Sequence, residues 1–197
     1  MEEKTTKKTD KKKSWISNIV FIGLIALVLF TPVGSKLKLW ASKLMATFTP
    51  SVQKVEKRET LSDYHWQLTD NNGQSFDFAQ AQGKVVFLNM WATWCPPCIA
   101  EMPVIQELYN KYRNYPDIVF VFATTDPKPK VDKFMADKGY NLPVYYVQSA
   151  APQQLASNTI PITFLIGKNG GIAIRKVGAA DWNSKKVIST IDELLKE

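Results

Sequence analysis

The sequence has little of the residues that build metal sites and disulfide frameworks. It contains two cysteines, Cys95 and Cys98, and one histidine, His65, among 197 residues. Two cysteines cannot staple a small secreted module, and a single histidine excludes a histidine-rich metal site. A glycine-rich phosphate loop and internal repeats are also absent from the sequence. We therefore predict no metal and no cofactor.

Negative charge is in deficit, and the imbalance is local. The formal net charge is +7, yet residues 62–197 carry thirteen basic and thirteen acidic side chains. Residues 1–61 carry twelve basic and five acidic ones. Because a neutral domain lacks the basic surface that binds phosphate backbones, nucleic acid is not predicted as a partner.

The basic residues flank an uncharged segment. Residues 15–33 carry no charged side chain, and as a helix they would nearly cross a hydrocarbon core of about 30 Å. Six lysines lie in residues 1–14, which the positive-inside rule keeps in the cytoplasm. We predict a cytoplasmic tail over 1–14 and a single anchor over 15–33 in the cytoplasmic (inner) membrane, with the folded domain periplasmic or otherwise extracytoplasmic. A cleaved signal peptide is the alternative.

Residues 34–61 are predicted to connect the anchor to the domain. Within them, residues 36–48 repeat apolar side chains at spacings of three and four. This pattern fits an interfacial helix on the outer leaflet of the cytoplasmic membrane, or a helix packed on the domain or on another chain. Residues 50–60 are polar and are predicted to form a tether.

Residues 62–197 alternate between strand and helix patterns. The predicted strands are 64–69, 74–78, 85–91, 118–123, 144–147, 162–166 and 172–177, and the predicted helices are 96–114, 130–138 and 183–196. This alternation predicts an α/β fold with a largely parallel sheet, to which the last hairpin adds an antiparallel edge.

Both cysteines lie in Trp94-Cys95-Pro96-Pro97-Cys98, between a predicted buried strand and a predicted helix. A structural zinc site needs four ligands, and a c-type haem site needs histidine where Ile99 stands. An inert structural disulfide would not need the start of a helix. There the helix dipole stabilises a thiolate, and two intervening residues let the sulfurs form a disulfide. We therefore predict a redox-active dithiol.

The segment KVVFLNMWATWCPPCIAEMP, residues 84–103, resembles the signature of the thioredoxin superfamily. Within it, the chain resembles the membrane-anchored TlpA/ResA-type thiol-disulfide oxidoreductases over residues 62–197. The resemblance implies a thioredoxin fold, with a central mixed β-sheet flanked by helices. It implies reduction of disulfides in exported proteins, with apocytochrome c during cytochrome c maturation as one client. It also implies a membrane thiol-reductant carrier of the DsbD/CcdA type as electron source.

The same resemblance implies roles for single residues. Cys95 would attack a partner disulfide, and Cys98 would resolve the mixed disulfide. Ile160 and Pro161 would form a cis peptide bond beside the dithiol and shape a groove for the partner's backbone. Trp94 would cover the disulfide, with a plain core aromatic as the alternative.

The dipeptide Pro96-Pro97 affects the redox direction. Neither proline has an N–H, so two potential donors to a Cys95 thiolate are missing. A less stabilised thiolate makes the couple more reducing, which favours a reductant over a strong oxidant. Both prolines, with Trp94, are also predicted to contact the substrate.

Glu101 follows Cys98 by one helical turn, so it can face the dithiol. The resemblance implies a functional glutamate that raises thiol pKa values and exchanges the Cys98 proton. A solvated surface glutamate is the alternative. Asn89 stands where thioredoxin has a buried aspartate, which leaves proton handling to Glu101 or to water.

Other functions remain open at this point. A disulfide oxidant or isomerase on the same fold would use the same dithiol. A peroxidase is disfavoured, because Thr93 precedes Cys95 by two positions rather than the three of peroxiredoxins. A non-catalytic, membrane-tethered binding or assembly module is the alternative from another class.

Overall fold

A computed structural model describes residues 48–197 without a gap and, before them, Trp15, residues 18–21 and Gly23, which are helical. The chain divides into two units, Met1–Ala41 and Ser42–Glu197. In the part of the chain so described, no helix is long and apolar enough to cross a bilayer. The predicted tail, the anchor over 15–33 and the amphipathic segment over 36–48 lie mostly outside the described residues and stay predictions.

Residues 48–197 form an α/β domain. Its strands are β1 (Gln67–Asp70), β2 (Ser75–Asp77), β3 (Val85–Met90), β4 (Ile118–Thr124), β5 (Val144–Val147), β6 (Ile162–Ile166) and β7 (Ile172–Val177). Its α-helices are α1 (Pro96–Tyr112), α2 (Lys128–Lys138) and α3 (Lys185–Leu194). Short 3-10 helices span Val55–Lys57 and Phe78–Ala81. Each predicted strand and helix is present, with ends that differ by a few residues.

The strands form one mixed sheet in the order β2-β1-β5-β4-β3-β6-β7. The pairs β3–β4 and β4–β5 are parallel, because α1 and α2 carry the chain back between them. The other four pairings are antiparallel. The mixed sheet that the resemblance implied is therefore confirmed. The largely parallel sheet predicted from the alternation of strands and helices is wrong, because a hairpin extends the three parallel strands on each side.

Strand β3 places the cysteine motif. Its first five residues, Val85–Asn89, are buried, as expected for a strand with neighbours on both sides and helices over the sheet. The motif follows at the carboxyl end of β3, where parallel α/β sheets usually form their sites. α1 begins there, so the first turn of a long helix lies at the carboxyl end of this central strand.

The segment before β1 packs along β7 and does not form the predicted tether. The Gln53 N–H donates to the Ala173 carbonyl, and the Ile172 N–H donates to the Glu59 carbonyl, both at 2.8 Å. β7 is an edge strand, so this segment satisfies backbone groups that the edge would leave open. The interpretation of residues 50–60 as a tether is therefore wrong, and the folded domain begins earlier than predicted.

Candidate active site

The two cysteines lie at the start of α1 and are joined by a disulfide bond. Cys95 is the N-cap residue, and its Sγ accepts a hydrogen bond from the Cys98 N–H at 3.3 Å. Pro96 and Pro97 fill the first two helical positions, where proline is well tolerated. Because neither proline has an N–H, Cys98 is the first helical residue able to donate to the Cys95 sulfur.

Glu101 lies one turn further along α1 and is completely buried. Its carboxylate accepts hydrogen bonds from Asn89 Nδ2 at 2.9 Å, from Trp182 Nε1 at 2.7 Å and from the Ala180 N–H at 3.3 Å. The alternative of a solvated surface glutamate is therefore wrong. Cys98, Ala180 and Trp182 belong to the same buried core.

Burial controls the charge of this carboxyl group. Desolvation raises the pKa of Glu101 to about 7, because removal from water disfavours the ionised form. The hydrogen bonds from Trp182, Asn89 and Ala180, and the positive charge of Lys176, lower it without cancelling the effect. Near neutral pH both protonation states are accessible, as an acid–base group requires.

Asn89 links the carboxylate to β6. It is 1% exposed, and its Nδ2 donates to Thr163 Oγ1 at 2.7 Å as well as to Glu101. The β3–β6 register places Asn89 opposite Thr163. Asn89 Oδ1 has no hydrogen-bond partner within the described part of the chain. The residue at the position of thioredoxin's aspartate thus acts as a donor that holds Glu101.

The loop before β6 contains two more of the predicted site residues, Ile160 and Pro161. The Ile160–Pro161 peptide bond is cis, as the resemblance implied. A cleft of about 300 Å³ lies beside it. The residues lining the cleft are mostly apolar or neutral and include Met90, Trp91, Ala92, Trp94, Ala123, Thr124, Thr125, Val147, Ser157, Asn158 and Ile160. The cleft brings together Trp94 and Ile160, whereas Pro96, Pro97 and Pro161 do not line it.

Trp94 is held from outside the motif by Asp126, a residue that the sequence analysis missed. Trp94 is 65% exposed, so it is not a core aromatic. Its Nε1 donates to Asp126 Oδ1 at 3.1 Å, and the Thr93 N–H and hydroxyl each donate to Asp126 Oδ2 at 2.7 Å. Partial burial acts to raise the pKa of Asp126, but the hydrogen bonds from Thr93 and Trp94 hold it below its usual range. The sequence feature that could have identified Asp126 is its position, because it is an acidic residue just after the buried strand β4.

Comparison with known proteins agrees with this geometry. Residues 44–195 match the protein family described as Redoxin. The chain is 36% identical over 130 residues to the Thiol-disulfide oxidoreductase ResA of Geobacillus thermodenitrificans, covering 66% of this chain and 74% of that protein. A relative of the same name from Oceanobacillus iheyensis is 29% identical over 174 residues, 87% of this chain and 85% of that one. The present chain is also 37% identical over 106 residues to the Thiol-disulfide oxidoreductase ResA of Geobacillus kaustophilus, covering 53% of this chain and 61% of that relative.

Solved structures share the fold. A crystal structure of a thiol-disulfide oxidoreductase candidate from Bacteroides vulgatus has a TM-score of 0.56 and 30% identity, covering 66% of this chain and 92% of that one. A thiol:disulfide interchange protein from Chlorobium tepidum has a TM-score of 0.50 and 23% identity, covering 77% and 99%. At that identity the second likeness supports the fold alone.

The raised pKa of Glu101 predicts a pH dependence of stability. The unfolded carboxyl loses its proton near 4.5, whereas the folded one keeps it until about pH 7. The contribution of Glu101 to the free energy of unfolding is therefore fully present below about pH 4.5. It falls by on the order of 3 kcal/mol as the pH rises to 7. In urea titrations from pH 4 to 8, this fall should be missing from Glu101→Gln. Glu107→Gln, an exposed site on the same helix, should keep it, and equal pH dependence in all three proteins would contradict the prediction.

Proposed function

The chain belongs to the Redoxin family and is a thiol-disulfide oxidoreductase, and from that premise we propose that it reduces disulfides in exported proteins through Cys95 and Cys98. One observation carries this proposal: a cysteine pair at a helix N-terminus lies one turn from a buried carboxyl group whose pKa is about 7. That arrangement supplies a nucleophile, a resolving thiol and a proton acceptor.

The reaction uses each sulfur once. In the reduced protein the Cys95 thiolate attacks one sulfur of the client disulfide and expels the other as a thiolate, leaving a mixed disulfide. The Cys98 thiol then loses its proton and attacks the Cys95 sulfur. The client leaves with both sulfurs reduced, and Cys95 and Cys98 are oxidised to the disulfide. Two electrons pass to the client, the Cys98 proton passes to a base within the protein, and the two client thiolates take their protons from solvent.

Glu101 is the proposed acceptor of the Cys98 proton. It lies one turn from Cys98 and faces the same core. A carboxyl group with a pKa close to the working pH can take this proton and return it when the disulfide is reduced again. Its ionised form also disfavours a thiolate nearby, which destabilises the reduced state.

The proposed direction is reduction. The first two residues of α1 offer no N–H to the Cys95 sulfur, so the helix stabilises its thiolate less than an ordinary N-terminus would. Glu101 adds a repulsive charge in the same core. Both effects make the dithiol form less stable relative to the disulfide, which is the property of a reductant.

The client's backbone is proposed to dock beside the cis-proline loop. Trp94 and Ile160 line the cleft there, and Pro96, Pro97 and Pro161 are proposed to contact the client from the neighbouring motif and cis-proline loop. The apolar lining suits an extended, unfolded chain segment. Apocytochrome c is the proposed client, and a membrane thiol carrier of the DsbD/CcdA type is the proposed source of electrons, both from the family resemblance.

The proposed location is the outer side of the cytoplasmic membrane, with residues 15–33 as an uncleaved anchor. The uncharged segment and the lysines before it support this arrangement.

A trapping experiment tests the reaction. Cys98→Ser removes the resolving thiol, so the mixed disulfide on Cys95 should accumulate with an oxidised peptide carrying two cysteines spaced by two residues and followed by histidine. Mass spectrometry should find a reductant-sensitive adduct on Cys98→Ser and at least about tenfold less on Cys95→Ser. Equal adducts on both variants would contradict the assigned roles, and adducts on neither would favour a non-catalytic module.

The anchor makes a separate prediction. In bacteria expressing the full chain, the protein should resist alkaline extraction from membranes at its uncleaved mass. Leu24→Lys/Leu27→Lys places two charges in the apolar segment, each of which costs a few kcal/mol at the centre of a span. This variant should move to the soluble fraction. A shortened wild-type protein in the soluble fraction would instead indicate a cleaved signal peptide.

A further inference from the structure

Residues 48–53, here called the N-terminal strap, are docked on the domain. Pro50 is buried, and Val52 packs against the core that contains both cysteines and Trp182. The Gln53 N–H donates to the carbonyl of Ala173 in β7 at 2.8 Å. The strap is therefore held by burial of apolar side chains and by a backbone hydrogen bond to an edge strand.

The other end of the strap meets the loop that binds Glu101. The Phe48 carbonyl accepts a hydrogen bond from the Asp181 N–H at 3.0 Å. The neighbours of Asp181 on both sides, Ala180 and Trp182, donate to Glu101 Oε2. Three consecutive residues thus join the strap on one side to the buried carboxylate on the other.

We propose that the N-terminal strap is a positioning element for Glu101: by holding Asp181 it keeps Ala180 and Trp182 where they donate to the carboxylate and close it off from water. This inference rests on the proposed function, in which Glu101 is the proton acceptor, and extends it to the segment before the first strand. The strap acts on Glu101 through this loop.

The surroundings of Glu101 define what undocking should change. The groups that act on it are Asn89 from β3, which also donates to Thr163 of β6, Lys176 from β7, and Ala180 and Trp182 from the loop. Of these, Lys176 carries a full charge and lies on a strand, so it stays in place when the loop moves. Loss of the two loop donors would raise the pKa of Glu101, whereas entry of water would lower it. Because desolvation is the largest cause of its raised pKa, we expect the net effect of undocking to be a lower pKa of Glu101.

The test uses the full chain in detergent, with the carboxyl carbon of glutamate labelled by ¹³C. The NMR signal of the Glu101 carboxyl carbon is identified by its absence from the spectrum of Glu101→Gln. The chemical shift of that signal as a function of pH gives the midpoint of the Glu101 titration directly. Pro50→Ser/Val52→Ser undocks the strap without adding charge. Val55→Ser is the matched control, because Val55 lies three residues further on and is 63% exposed.

Undocking should move the Glu101 midpoint from near 7 toward the ordinary range by at least about one pH unit, while Val55→Ser leaves it in place. The pH profile of disulfide reduction should shift with it. If the double variant lowers the melting temperature yet keeps the wild-type midpoint, the strap is merely structural and the inference is wrong. Should the double variant not fold, Val52→Ala is titrated in its place, with a smaller shift expected in the same direction. A wild-type midpoint in the ordinary range would overturn the proton role and this inference together, whereas adduct formation by Cys98→Ser would still stand.

Discussion

The structure of the site depends on one buried carboxyl group. Glu101 has no exposure to solvent and is held by donors from β3 and from the loop before α3. Desolvation exceeds the effect of those donors, so the carboxyl remains half-protonated near neutral pH. A protein that needed only stability would not keep such a group, since an ionised carboxylate in the core is costly. In the proposed mechanism its value is chemical, because it would exchange a proton with the dithiol.

The parts of the site come from distant segments of the chain. β3 supplies Asn89, α1 supplies the cysteines and Glu101, and the loop before α3 supplies Trp182. Asp126, after β4, holds Thr93 and Trp94 on the other side of the motif. The start of α1 is therefore held through Glu101, and the residues before Cys95 through Asp126, next to a cleft lined by Trp94 and Ile160.

Much of this arrangement could be predicted from short-range patterns. An apolar run followed by two cysteines and a helical repeat is enough to place the dithiol at a strand–helix junction. The cis bond at Pro161 followed from the family pattern and is confirmed. Burial of Glu101 could not be predicted, because a helical spacing shows direction but not what covers that face. The alternation of strands and helices predicted a more parallel sheet than the one observed. Strand patterns do not reveal which neighbour each hairpin strand pairs with.

The N-terminal strap escaped prediction for a physical reason. Half of its side chains are polar and the mostly charged residues 54–59 follow it, which suggests a solvated linker. It is instead held through its backbone and through two small apolar residues, Pro50 and Val52. Backbone pairing with an edge strand depends little on side-chain polarity. Asp126 was missed similarly, because a single acid after a strand has no pattern until the fold brings Trp94 to it.

The central claim is that the buried carboxylate and the two missing helix donors make this dithiol a reductant, and its reduction potential tests that claim most directly. Equilibration of the full-length protein with dithiothreitol at pH 7 should give a potential near that of thioredoxin, about −270 mV, and a less negative one for Glu101→Gln. A wild-type potential close to that of DsbA, about −120 mV, would contradict the account.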